Sequence, residues 1–153
     1  MLMNRSLKNR ILNIQFSDCE EEIIKRDALK ISQNQHMKLR FVSAEAPNRQ
    51  GVFLSMADDE GELLINGISG KSFILWKDEC TDELEIECRC DEGFLIIYNV
   101  FEKKSWTGKN EMYSQTDFSG MILEQKGKIY RYHCNNATKD SSFDKLVFEV
   151  ELA

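Results

Sequence analysis

Cysteine, histidine and carboxylate are the side chains through which this sequence could do chemistry, and their spacing narrows the choices. Five cysteines (Cys19, Cys80, Cys88, Cys90 and Cys134) and two histidines (His36 and His133) occur in 153 residues. Zinc sites separate paired cysteines by a short turn that wraps the ion. Cys88 and Cys90 have only Arg89 between them, and on a strand that puts both on one apolar face as small hydrophobes. His133 and Cys134 are adjacent, so on a strand they face opposite sides and cannot act as base and nucleophile. An odd number of cysteines without framework spacing predicts free thiols in a reducing compartment, and the cytoplasm is the expected location. Neither a metal nor a cofactor is expected.

Other motifs fail on context. Gly70-Lys71-Ser72 has the ending of a phosphate loop, but Ile65 stands where the motif needs glycine, and Phe73–Trp76 reads as a strand where a helix must open. Asp58-Asp59-Glu60-Gly61-Glu62 offers oxygen ligands without the order or length of a calcium loop, which leaves a solvated turn. Acid–base catalysis needs two carboxyl groups set in one cleft, and no spacing here marks such a pair. The chain is therefore read as non-enzymatic.

Two features survive. From Lys77 to Glu92 the chain places eight carboxylates (Asp78, Glu79, Asp82, Glu83, Glu85, Glu87, Asp91, Glu92) against Lys77 and Arg89, an excess equal to the whole chain's net charge of −6. Asp82, Glu83, Glu85 and Glu87 are expected to form an outward acidic ridge that speeds encounter with a basic protein partner; the plainer alternative is a charged, soluble strand face. The second feature is the polar stretch Glu102–Ser119, which carries Trp106, Met112, Tyr113 and Phe118. It is read as a long loop whose Trp106 and Tyr113 supply contact area, unless its aromatics fold back on the core or a weak edge strand hides there.

The elements that must hold these residues are mostly strands. Leu84, Ile86, Cys88 and Cys90 alternate with Glu83, Glu85, Glu87 and Arg89, the pattern of a strand with one face in the core and one in water. Phe94–Phe101 is almost wholly apolar and predicts a central strand buried on both sides. Leu146–Leu152 alternates again, with Glu149 and Glu151 outward. Gln125-Lys126-Gly127-Lys128 predicts a hairpin, and Asn66-Gly67 and Ser69-Gly70 predict turns. Ahead of these, Ile11–Phe16 reads as a strand, and Ser17 with Glu20 fits a capping box. Ile24, Ala28 and Ile31 share a face at helical spacing, which predicts a helix over 18–31. The expected fold is mainly β, an antiparallel sandwich or barrel-like sheet of eight or nine strands with one short N-terminal helix.

Composition agrees with one domain over 1–153, in which a segment over 1–36 packs on a β core over 37–153. Hydrophobic residues make up 42% and charged residues 30%, a globular balance with room for one core. No apolar run is long enough for a signal peptide or a membrane span, so Asn4-Arg5-Ser6 and Asn136-Ala137-Thr138 are not expected to carry glycans. The acidic balance makes nucleic acid and anionic membranes poor partners.

Through Phe73-Ile74-Leu75-Trp76, Gly93–Val100, Phe118-Ser119-Gly120-Met121 and Tyr132-His133-Cys134-Asn135, the chain resembles small uncharacterised bacterial β-proteins, a resemblance that carries no catalytic residues. In bulk acidity and size it is also similar to immunity proteins, which neutralise basic toxic nucleases; that similarity is compositional. The expected function is a protein-binding module with an acidic face, of the immunity or antitoxin kind, with Asp82, Glu83, Glu85, Glu87, Trp106 and Tyr113 as contacts. The alternative is a β-sandwich that binds a small ligand or carbohydrate on Trp106 and Tyr113.

Overall fold

The computed structural model describes residues 9–16, 19–44, 48–57, 61–115, 119–136 and 143–153. Thirteen strands follow in chain order: β1 Ile11–Leu12, β2 Ile24–Ile31, β3 His36–Ser43, β4 Gln50–Met56, β5 Gly61–Ile65, β6 Ile68–Gly70 and β7 Ser72–Trp76. They continue with β8 Glu83–Cys90, β9 Gly93–Lys104, β10 Asn110–Ser114, β11 Ser119–Lys126, β12 Ile129–Asn136 and β13 Leu146–Leu152. All pairings are antiparallel, in the spatial order β6-β5-β8-β3-β13-β12-β11-β2-β9-β4-β7, with β1 on β2 and β10 on β9.

This sheet nearly closes on itself. Its terminal strands, β6 and β7, are separated in the chain by Lys71 alone, so the backbone carries the sheet across its own seam. The Lys71 carbonyl accepts the Met56 N–H at 3.3 Å and the Ser55 hydroxyl at 3.3 Å, which ties the crossing to β4. At the β5–β6 turn, Asn66 and Gly67 take φ of 51° and 77°, the positive pair that matches a two-residue hairpin to strand twist. Gly51 on β4 admits β7 closely: a Cβ there would lie 2.8 Å from the Leu75 carbonyl oxygen and 2.9 Å from the Trp76 ring.

The periodicities of β8 and β13 behave as the sequence predicts. Leu84, Ile86, Cys88 and Cys90 are buried while Glu83, Glu85 and Arg89 are exposed. Leu146, Phe148 and Val150 are fully buried, and Phe148 stacks on Tyr132 with ring centroids 5.0 Å apart. β9 is the central strand expected, lying between β2 and β4. A single hydrophobic cluster links the inward residues from β2 to β13. Each large side chain in it contributes about 1.5–3 kcal/mol of transfer free energy.

Three expectations need correction. Among the described residues the strands number thirteen rather than eight or nine. Among the described residues there is no α-helix, and a 3₁₀ turn at Ile14–Phe16 stands where a strand was read. The predicted helix over 18–31 is mainly β2, whose Asp27, Leu29 and Ile31 point inward at period two and pair with Ile97, Leu95 and Gly93 of β9. Of the buried positions, Ile24, Asp27 and Ile31 keep helical spacing while Asp27, Leu29 and Ile31 keep the strand's, and the ladder to β9 decides between them. Ser17 of the supposed capping box and the turn residues 58–60 lie outside the described residues. Ser69-Gly70 is strand β6 rather than a turn. Among the described residues no helix is long and apolar enough to cross a membrane.

Candidate functional site

The outer faces of β8, β3, β13 and β12 form alternating stripes of charge. Register places Glu83, Glu85 and Glu87 of β8 directly across from Arg40, Lys38 and His36 of β3. On the far side of β3, Arg40 and Lys38 face Glu149 and Glu151 of β13, and Glu149 in turn faces Arg131 of β12. Acidic, basic, acidic and basic strands thus lie side by side, the arrangement cross-strand pairs favour.

Glu83, Glu85 and Glu87 of the expected ridge do share one face of β8, but Glu83 and Glu87 are matched, and Asp82 precedes the strand. Glu83 accepts Arg40 Nε at 2.8 Å and lies 3.8 Å from Lys38 Nζ. The Arg40 hydrogen bond, helped by Lys38, holds the Glu83 carboxyl below its ordinary range. Arg40 also binds Glu151 and approaches Glu149, and its hydrogen bonds to Glu151 and Glu83 push its guanidinium pKa up. Glu87 lies 3.7 Å from His36 Nε2 and 3.2 Å from Arg89 Nε. Further along the acidic run, Arg49 holds Asp78 at 3.0 Å and Glu79 at 2.6 Å while its guanidinium sits 4.3 Å over the Trp76 ring. Lys30 lies 3.7 Å from Glu92. Among the described residues, only Asp82, Glu85 and Asp91 of the eight acids make no ion pair. The local excess of charge in the sequence is therefore largely cancelled in space.

Trp106 and Tyr113 do not form a joint stacking platform. The stretch Glu102–Ser119 is largely a hairpin: β9 runs on to Lys104 and β10 pairs with it from Asn110↔Lys104 to Ser114↔Val100. This is the hidden edge strand named as an alternative, not a long loop. Trp106 sits at the tip, 97% exposed. Tyr113 lies three ladder positions down, about 10 Å along the strand, facing Phe101 with centroids 6.1 Å apart and donating its hydroxyl to Glu111 at 3.1 Å. Phe118 falls outside the described residues.

Beside the ridge lies a groove of about 500 Å³, walled by β3, β8, the β5–β6 turn and the end of β13. Half-exposed Leu64 and Leu152 supply apolar surface, with Met37 and Ile86 buried beneath, and Glu85, Glu87, Glu151, His36 and Lys38 supply charge. Three carboxylates meet one ammonium and one imidazole there, and Glu85 is the carboxylate without an ion pair. Its volume lies in the range of small-ligand sites. Leu64, Asn66 and Gly67 were legible as a strand and a turn, but no periodicity says what a turn stands beside.

Two clusters could be taken for chemistry. Cys88, Cys90 and Cys134 are buried, and desolvation pushes the Cys88 thiol up to about 12 and Cys134 well above its ordinary value. Thiols so held are poor nucleophiles. His133 faces outward to Glu124 at 3.1 Å, away from Cys134. Among the described residues no group of His, Cys, Asp or Glu could hold a metal ion. The second cluster joins Arg10, Asp27 and Tyr132: Asp27 accepts Arg10 Nε at 2.9 Å and the Tyr132 hydroxyl at 2.7 Å. Burial, reinforced by Asp27, pushes the Tyr132 hydroxyl pKa well up. Both Asp27 and Tyr132 are closed to solvent, so the cluster braces the barrel wall and offers no site for a substrate.

No protein-family model, curated protein or solved structure matches the chain.

Proposed function

We propose that the chain is a non-enzymatic binding module whose β3–β8 groove takes a cationic segment, carrying an apolar side chain, from a protein partner. The observation that supports it is Glu85: an exposed carboxylate with no ion pair among the described residues, on the wall of a groove with an apolar lining. An immunity or antitoxin protein acting on a basic toxin is the specific form of this reading. The matched stripes reduce the part played by Glu83 and Glu87 and concentrate recognition on Glu85 and the groove. Long-range steering by the whole ridge is correspondingly weaker than the sequence suggests.

A labelled peptide alternating lysine and leucine, titrated by fluorescence anisotropy, tests this. Glu85→Lys is expected to weaken binding about tenfold or more, the scale of one lost charge pair at a partly desolvated site. Binding that is absent in the unaltered protein, or equal in the Glu85→Lys variant, overturns the reading.

A further inference from the structure

The tip of the β9–β10 hairpin is the chemical inverse of the groove. Lys103 to Asn110 holds Lys103, Lys104 and Lys109 and no carboxylate, in a chain whose net charge is −6. None of the three lysines makes an ion pair among the described residues, and all are exposed. Trp106 stands between them with 97% of its surface in water.

The tip is also rigidly built. Ser105 N–H donates to the Lys109 carbonyl at 2.8 Å, Gly108 N–H donates to the Ser105 carbonyl at 2.9 Å, and the Ser105 and Thr107 hydroxyls lie 2.7 Å apart. The turn's backbone is set before docking, so an indole carried into water with three lysines close by in the chain can dock with little further loss of backbone entropy.

Tip and groove cannot meet within one molecule. β9 is 12 residues long, about 36 Å at the usual rise per residue, and the tip extends from its Lys104 end. Its Gly93 end pairs with Ile31 of β2. Nearby, the Asn34 N–H donates to the Cys90 carbonyl at 2.9 Å, two residues from His36 on the groove wall. The cationic anchor and the acidic groove therefore sit at opposite ends of the barrel.

We infer that the groove's occupant is the β9–β10 tip of a second copy of this chain, with Trp106 seated on the half-exposed Leu64 and Leu152 and a flanking lysine facing Glu85. The inference rests on the proposed groove function and names a second copy of the chain, in place of a toxin, as its partner. Because the two surfaces differ, the contact is head-to-tail, so each added copy leaves one groove and one tip open and the assembly grows with concentration unless a ring closes.

Sedimentation velocity on the full chain tests it. At about 50 mM salt the mean mass is expected to rise with concentration, and at about 500 mM to fall back towards that of the monomer as charges are screened. Trp106→Ala is expected to raise the dissociation constant about 30-fold, as for a central aromatic anchor. The decisive experiment mixes two variants. One has a disabled tip (Trp106→Ala with Lys103→Glu and Lys104→Glu) and the other a disabled groove (Glu85→Lys with Glu87→Lys). All five positions lie at the surface, and circular dichroism checks that both variants fold. Each alone is expected to be monomeric, and the mixture to form a capped 1:1 dimer that grows no further. A monomeric unaltered protein at every concentration, or a mixture that stays monomeric, overturns the inference. The lysine–leucine peptide separates the two failures: if it still binds in a Glu85-dependent way, the groove reading stands without self-assembly.

Discussion

Replacing Arg10 tests whether a buried charge fastens the segment ahead of β1 to the barrel. The Asp27 carboxylate, 1% exposed, is held by Arg10 Nε at 2.9 Å, by the Tyr132 hydroxyl at 2.7 Å and by the Ala28 N–H at 2.9 Å. Removing one member of a buried ion pair costs about 3–5 kcal/mol, because the partner charge is left without compensation. The Arg10 side chain is 39% exposed, so water enters the vacated place. That discount brings the expected loss for Arg10→Ala to about 2 kcal/mol, or roughly 4–8 °C in Tm for a domain of this size. In the Asp27→Asn background the charge is already gone, and the same change is expected to cost under about 0.5 kcal/mol, a coupling of about 1.5 kcal/mol. Tyr132→Phe keeps the ring against Phe148 and removes one hydrogen bond to a charged acceptor, about 1.5–3 kcal/mol. Urea unfolding of the unaltered protein and the four variants by circular dichroism measures all of this. If Arg10→Ala lies within about 0.5 kcal/mol of the unaltered protein, or costs as much with Asp27 as with asparagine in its place, the buried-charge reasoning is refuted.

Thiol chemistry gives a second expectation. In the native state Cys19 should react quickly with a disulfide reagent and Cys80 more slowly, with Cys88, Cys90 and Cys134 reacting only on unfolding; five equal fast thiols would contradict their burial. The sign of the pH effect follows from the same burial. Cys88 is raised from an ordinary 9.0 to about 12, so over that interval the unfolded chain gives up a proton that the folded chain keeps. Stability therefore falls as pH rises above about 9, with Cys134 and Tyr132, also raised, acting in the same direction. Urea midpoints that stay flat from pH 8 to 11, on the order of the window just named, count against it. Finally, Gly51→Ala forces a Cβ to within 2.8 Å of the Leu75 carbonyl and is expected to cost about 1–3 kcal/mol through a pried β4–β7 ladder. An unchanged melting temperature would show that β7 does not lie so close.

Legibility in the sequence tracked burial geometry. β8 and β13 could be read because one face of each lies in the core and the other in water, which prints a period of two on the residues. β9 could be read because both its faces are covered, which leaves an apolar run. β10 could not, since its residues are exposed or half-buried and an edge strand with no buried face has no pattern to print. β2 was misread for the opposite reason: its buried positions satisfy two periods, and Asp27, which looks polar and outward in the sequence, is in fact inward and paired with Arg10.

The order of residues alone determined that Glu83, Glu85 and Glu87 share a face, because neighbours on a strand alternate and no fold can undo that. What stands across from those glutamates was decided only by tertiary structure. Arg40 is 43 residues from Glu83 in the chain and Glu151 is 111 from Arg40, yet antiparallel register sets them side by side. Charge adds along a sequence without regard to distance, whereas ion pairs and grooves depend on which strands become neighbours. That choice belongs to the packing of the whole sheet.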